Sequence, residues 1–249
     1  MSRYAIVIPA YNEEDCLPAT LAAARAAVEA VADEHGRGEI VVVDNNSSDR
    51  TAAIALEHGA DRVVFEGHNQ IARARNVGAA ATEADRLVFV DADTLLPGEL
   101  LSQALAALAS GEVAAGGARV SLDREVQPAV AWLVRTWDRL STAFGYAAGS
   151  FFFCRRDAFE ASGGFDESVY AGEEVWLARR IKAWAKRRGL SFVVLRDPPV
   201  TTSGRKSDWF TAKDFFLQVA VLLLLPGAAR SRRLCAMWYR RPGREKPDA

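Results

Sequence analysis

Histidine, cysteine and methionine are scarce in this chain: three, three and two among 249 residues. So few histidines argue against a zinc site built on imidazole. Cys16, Cys154 and Cys235 lie far apart and match neither a metal nor a redox spacing, which reads as a reduced compartment. No sustained period runs through the sequence, and this excludes coiled-coil, collagen and repeat architectures. Long apolar runs are also missing. The segment from Tyr4 to Ala10 is too short for the core of a secretory leader and leads straight into Asn12-Glu13-Glu14. Phe215 to Leu225, interrupted by Gln218, would rise only about 16 Å as a helix, roughly half a bilayer core, and cannot span alone.

Neither sign of charge dominates, since the formal net charge is −1. The distribution is uneven: from Pro226 onward seven basic residues face two acidic ones, so the tail is near +5 and the body near −6. An acidic body does not suit the basic surface that a nucleic acid backbone demands. What the chain does have is a 50% hydrophobic and 25% charged composition. That excludes disorder over most of its length. A chain of this size buries roughly 70–75% of its unfolded surface as one large domain.

The first half alternates short β-branched runs with helical patterns. Tyr4–Ile8, Glu39–Val43, Arg62–Phe65 and Arg86–Val90 read as strands, the first ending at Pro9. Helices are expected from Pro18 to Glu34, from Thr51, from Ile71 to Thr82 and from Pro97 to Ala109, with Pro18 in a first turn and Gly36 at an exit. Buried strands joined by helical crossovers make a mostly parallel α/β sheet flanked by helices. Polar groups then gather beyond the strand ends, where open α/β sheets bind ligands. After Gly111 the rhythm changes to an elaborated, mixed second half. Strands are expected at Gly116–Leu122, Tyr146–Cys154, Phe192–Leu195 and Pro199–Thr202, and helices at Val126–Ser141, Asp157–Ala161 and Glu173–Arg188. Trp132, Trp137 and Trp176 are expected in the core rather than in a pocket.

Asp91-Ala92-Asp93 follows the fourth strand, so its carboxylates stand at the sheet edge. Two carboxylates one residue apart can face one hard divalent cation, which relieves their repulsion and can bridge to a diphosphate. The same triplet also serves as an ordinary turn, with Asp93 or Thr94 capping the next helix. Pro9-Ala10-Tyr11-Asn12-Glu13-Glu14 ends the first strand. Asp44-Asn45-Asn46-Ser47-Ser48-Asp49 ends the second and can cap the helix after it. In Ala74-Arg75-Asn76-Val77-Gly78, Arg75 offers a rigid fork for phosphate oxygens or a salt bridge, and Gly78 permits close helix packing. Glu173-Glu174 opens a helix, where acids favour the dipole whatever else they do.

In this order these stretches resemble the inverting family-2 glycosyltransferases with the GT-A fold, over roughly Tyr4 to Arg205. The resemblance implies that Pro9, Ala10, Tyr11, Asn12 and Glu13 line a nucleotide site, with Tyr11 stacked on a base. It places Asp44 on the base, Arg75 near the donor phosphates, and Asp91 and Ala92 beside the donor. It gives Asp93, with Asp91, a Mg²⁺ or Mn²⁺ ion on the diphosphate. Gly149-Ser150 and Gly163-Gly164-Phe165-Asp166-Glu167 match the sugar and acceptor wall. Glu174 aligns with the usual catalytic base, with Glu173 as the second candidate; the chain has Glu where the family has Asp. Ser203 and Arg205 match an element that closes on the diphosphate.

The implied activity is metal-dependent transfer of a sugar from a nucleotide-diphospho-sugar to an acceptor hydroxyl, with inversion. A nucleotidyltransferase or a retaining glycosyltransferase on a similar fold is one alternative, although no glycine-rich phosphate loop follows the first strand. A non-catalytic nucleotide-sugar-binding or membrane-associated scaffold is the other. The expected organisation is a catalytic domain over 1–210 and an apolar helix with a basic tail over 211–249. That tail can pack on the body, or it can hold the protein to an anionic membrane surface at its cytoplasmic face, which would suit a lipid-linked acceptor.

Overall fold

The computed structural model describes residues 4–129, 131, 132, 136, 149–225 and 227–239. Strand β1 (Tyr4–Ala10) is buried along nearly its whole length because both of its faces are covered. Helix α1 (Leu17–Ala30) carries Pro18 in its first turn and buries Leu17, Leu21, Ala24 and Val28 on one stripe. The expected single helix to Glu34 is split: Val31 leaves helical dihedrals but stays in the core, and the turn α2 (Ala32–His35) exposes Asp33 and Glu34. Gly36 then ends it at φ +76°.

The order continues β2 (Glu39–Asp44), α3 (Thr51–Glu57), β3 (Arg62–Phe65), α4 (Ile71–Ala80), β4 (Arg86–Val90), β5 (Thr94–Leu95) and α5 (Gly98–Ala109). The second half holds β6 (Val113–Leu122), β7 (Phe151–Arg155), α6 (Arg156–Ala161), α7 (Glu173–Lys186) and β8 (Ser191–Thr202). The short α8 (Lys206–Trp209), the apolar α9 (Ala212–Leu224) and the turn α10 (Ala236–Tyr239) follow.

The strands form one eight-stranded sheet in the order β3-β2-β1-β4-β7-β6-β8-β5. β3, β2, β1 and β4 run parallel, as expected of strands joined by helical crossovers. β7 enters antiparallel to both β4 and β6, which makes the second half mixed. Alternation along the strands fills a core on each face. Ile6, Ile8, Val88 and Val90 meet α1 and α5, while Val7, Leu87 and Phe89 meet α4, α6 and α7. Gly78 sets how close α4 lies: a Cβ there would fall 2.3 Å from Val7 Cγ1 and 2.9 Å from Val43 Cγ2. The helix propensity of alanine, worth about 1 kcal/mol, does not offset such overpacking.

Three further expectations need correction. Phe192–Leu195 and Pro199–Thr202 are a single strand, β8, because Ala118 pairs with Leu195 and Val120 with Val200, so that Arg196–Pro199 bulges from the ladder. The strand expected over Tyr146–Cys154 runs Phe151–Arg155, with Gly149 and Ser150 in a turn before it and 146–148 outside the described residues. Trp132 and Trp176 are 54% and 45% exposed, not core. Trp176 instead carries the Arg179 guanidinium 5.8 Å above its ring, at the surface of α7. Of the helix expected at Val126–Ser141, residues 128, 129, 131, 132 and 136 are helical, and Trp137 lies outside the described residues.

Candidate active site

A cavity of about 200 Å³ opens beyond the C-terminal ends of β1 and β4. Its floor comes from Pro9 and Ala10 of β1 and from Asp91, Ala92 and Asp93 after β4. Tyr11 and Glu13 enter from the loop after β1, and Asn45 from the loop after β2. Gly149 and Ser150 form one side, and Gly172, Glu173 and Glu174 bring the start of α7 to it. The sheet places these groups together because parallel strands end on the same edge.

Arg75 is the electrostatic centre. It projects from α4 with its side chain only 2% exposed. Nη1 donates to Glu173 Oε1 at 2.7 Å, and Nη2 donates to Asp91 Oδ1 and to the Gly149 carbonyl, each at 2.8 Å. The guanidinium also sits 5.2 Å over the Phe165 ring. Burial opposes its charge, and the carboxylates of Asp91, Glu173 and Glu174 more than offset that. Glu174 stands next to this cluster. Burial, and then the Glu173 carboxylate, push its carboxyl well above the usual range, while Arg75 pulls the other way.

Residues 5–163 match the sequence family described as glycosyl transferase family 2. The chain belongs to this family. An uncharacterized glycosyltransferase of Mycobacterium tuberculosis is 34% identical over 143 residues, covering 54% of this chain and 61% of that protein. The chain thus matches about three fifths of the length of this curated relative. Residues 1–349 of S. aureus TarS superpose with a TM-score of 0.62 at 18% identity, covering 96% of this chain and 71% of that one. Glucosyl-3-phosphoglycerate synthase from Mycobacterium tuberculosis, solved with Mn²⁺, UDP and glucosyl-3-phosphoglycerate, superposes at 0.61 and 18% identity, covering 94% and 80%. At such identities the superpositions establish the shared GT-A-like fold.

In this family-2 member a second guanidinium, that of Arg205, braces two of the acidic lining residues, Glu13 and Asp93, without itself lining the cavity. Nη2 reaches both carboxylate oxygens of Glu13 and donates to Asp93 Oδ2 at 3.2 Å. Nη1 donates to Cys16 Sγ at 3.1 Å, and the group lies 5.4 Å over the Trp209 ring. Asp93 also accepts from Thr202 Oγ1 at 3.3 Å and holds Ser203 N on its backbone carbonyl at 3.0 Å.

Several residues singled out in the sequence stand behind the cavity rather than in it. Asn12 is left-handed at φ 52° and buried; its Oδ1 accepts from Ser48 N at 2.8 Å, and its N donates to Ser47 Oγ at 3.0 Å. Asp44 Oδ1 accepts from Ser47 N at 3.0 Å and so shapes the turn that presents Asn45. Asp49 Oδ1 accepts from Thr51 N at 2.9 Å, so the polar cluster does serve the start of α3. Asn76 clamps the Phe165 backbone in both directions, at 3.0 and 2.9 Å. Gly163-Gly164 and Asp166-Glu167 are not among the lining residues, whereas Gly149 and Ser150 are. Arg73 pairs with Glu167 at 3.0 Å on the surface.

The sequence reading missed Asn45, Asn69, Ile71, Gly172, Trp238 and Tyr239, all of which line the cavity. Asn45 was within reach, one residue from Asp44. Trp238 and Tyr239 were not, because their segment reads as part of a basic tail. It folds back so that Cys235 and Tyr239 pack with Ala171, Ile71 and Tyr170.

Arg75→Met should lose about 3–5 kcal/mol of stability, because it leaves buried Glu173 and its neighbours without their counter-charge. Urea denaturation measures this, and an unchanged midpoint would show that the carboxylates do not depend on Arg75.

Proposed function

We propose that the protein transfers a sugar from a nucleotide-diphospho-sugar to an acceptor hydroxyl, with inversion and with the help of a divalent cation. The observation that carries this reading is the placement of Glu174, a half-buried residue whose carboxyl has raised proton affinity, in the same polar cavity as Asp91 and Asp93. A base of that kind takes the hydroxyl proton as the acceptor oxygen bonds to the anomeric carbon. The bond from that carbon to the diphosphate breaks in the same displacement, its electron pair leaves with the phosphate oxygen, and the configuration inverts. Tyr11 offers a ring to the base of the nucleotide. Asn45 faces the cavity from the adjoining loop, with Asp44 setting that loop. Arg205 stands where it can exchange Glu13 and Asp93 for diphosphate oxygens.

Among the described residues, no group of three or more His, Cys, Asp or Glu side chains is arranged to hold a metal. The donors present are nevertheless the hard oxygens of Asp91 and Asp93 on one turn facing the cavity. They fit a Mg²⁺ or Mn²⁺ ion that takes its other ligands from diphosphate and water. Such an ion, when bound, offsets the charge of the leaving diphosphate. The related synthase was solved with Mn²⁺ and UDP, which supports this reading.

A membrane surface belongs to the same proposal. No helix among the described residues is long and apolar enough to cross a membrane. Phe216, Val219, Leu224 and Leu234 are exposed beside the exposed Arg232 and Arg233, a combination suited to an anionic lipid boundary. Flotation with anionic vesicles should recover the protein and lose it at high salt. Failure to float at low salt would remove the membrane from the reading.

Calorimetry with UDP and with GDP, with and without Mn²⁺, tests the donor side. Mn²⁺ should strengthen the binding of one of them, and Asp93→Ala should lose that gain. An intact gain in the variant would take Asp93 out of the ion's shell.

Glu174→Gln should lower transfer by roughly 10²-fold or more while leaving nucleotide affinity nearly unchanged. It also has a stability signature. The folded state raises the proton affinity of Glu174, so wild-type stability is full below the unfolded carboxyl's pKa and falls as pH rises through the higher folded value. The variant should therefore match the wild type near pH 4 and melt higher above neutrality. Equal melting temperatures across the range, or near-normal turnover, would reassign the base.

A further inference from the structure

A second cavity, of about 180 Å³, adjoins the first. The two share Asp91, Asp93 and Ser150, so they meet at the carboxylate edge of the sheet. Away from that edge the character changes. Leu122 at the end of β6, Val126 after it, and Phe215 of α9 make an apolar wall. Phe215 is fixed edge-on against Phe210, with ring centroids 6.4 Å apart. The same helix exposes Phe216, Leu217 and Val219, so an apolar chain leaving the cavity meets an apolar surface instead of bulk water.

We propose that this second cavity holds the aliphatic part of the acceptor, so that the substrate is an amphiphile whose hydroxyl passes the shared Asp91–Asp93 edge toward Glu174 in the first cavity. The three apolar side chains give a bare sugar or a polar peptide nothing to bond, whereas each methylene buried there is worth about fourfold in affinity. Size limits the chain: a cavity of roughly 150 Å³ accepts a six-carbon ring such as benzene, so this one takes about six carbons before the chain passes onto α9. The word acceptor rests on the sugar-transfer reading. The binding of an aliphatic chain does not, and the two can fail separately.

The probes are n-butyl, n-hexyl and n-octyl β-D-glucosides below their micelle concentrations, titrated calorimetrically into the full chain without donor or metal. Affinity should rise on the order of tenfold from butyl to hexyl and more gently from hexyl to octyl. Phe215→Glu, which puts a charge in the wall, and Ser207→Phe, which fills the cavity from its rim, should both remove the chain-length dependence. Leu217→Glu, on the exposed face of α9, should keep it. Should Phe215→Glu fail to fold, Ser207→Phe gives the same reading.

Affinity independent of chain length overturns the proposal. So does a dependence that survives Ser207→Phe, or one that Leu217→Glu abolishes, because the chain then lies on the outer face of the helix. In turnover with a competent nucleotide sugar, Ser207→Phe should raise KM for the octyl glucoside at least tenfold with little change in kcat. An unchanged KM there overturns the acceptor assignment, while chain-length-dependent binding without any sugar transfer overturns the enzymatic reading and leaves the cavity.

Discussion

A buried guanidinium holds three distant stretches of chain to one point. Arg75 on α4 bonds Asp91 after β4, the Gly149 carbonyl before β7 and Glu173 at the start of α7. Removing such a group from water costs several kcal/mol, and only a full set of partners makes its burial tolerable. The partners here are carboxylates that would themselves be costly to bury. The arrangement is therefore mutual: the acids keep Arg75 charged, and Arg75 lets the acids crowd one sheet edge. It also sets the state of Glu174, whose carboxyl feels burial and Glu173 on one side and Arg75 on the other.

Arg205 repeats the device with Glu13 and Asp93. Its contacts join the loop after β1 to the one after β8, while Asn12, Ser47 and Ser48 tie the loops after β1 and β2. The two arginines divide the acidic edge between them. Arg75 is deeper and belongs to the framework, at 2% side-chain exposure. Arg205 at 13% is more exposed and sits over Trp209 on a short turn, so it is the one that can change partners at lower cost.

How much of this was legible follows from the range of the interactions. β4 has the bounds that its apolar run announces, because a strand buried on both faces needs an unbroken apolar run. Gly78 was also readable, as a position of close approach. The role of Arg75 was not. The family resemblance pointed to donor phosphates and the guanidinium fork left a salt bridge open, but its partner is a carboxylate 98 residues away, and no local pattern carries that. The exposed Trp132 and Trp176 show the limit of composition: a large aromatic is expected inside until neighbouring elements fail to cover it. Trp238 and Tyr239 reach the cavity through tertiary packing of the tail, which a run of arginines conceals.

The carboxylates after β4 border two cavities of different character, and this explains why the second half of the chain is built as it is. The parallel half supplies polar loops stitched to one another, which suits a charged, rigid donor. β7 reverses direction beside β4 and presents Ser150 at the same edge, while β6 and β8 carry the sheet onward to Leu122 and Thr202. That extension lets α9 lie beside the edge with Phe215 inward and Phe216 outward. A polar sheet edge thus opens on one side to hydrogen-bonding loops and on the other to apolar side chains. Under the sugar-transfer reading, donor and acceptor approach Asp91 and Asp93 from opposite sides, so an apolar acceptor tail need not cross the charged wall that the arginines and carboxylates form.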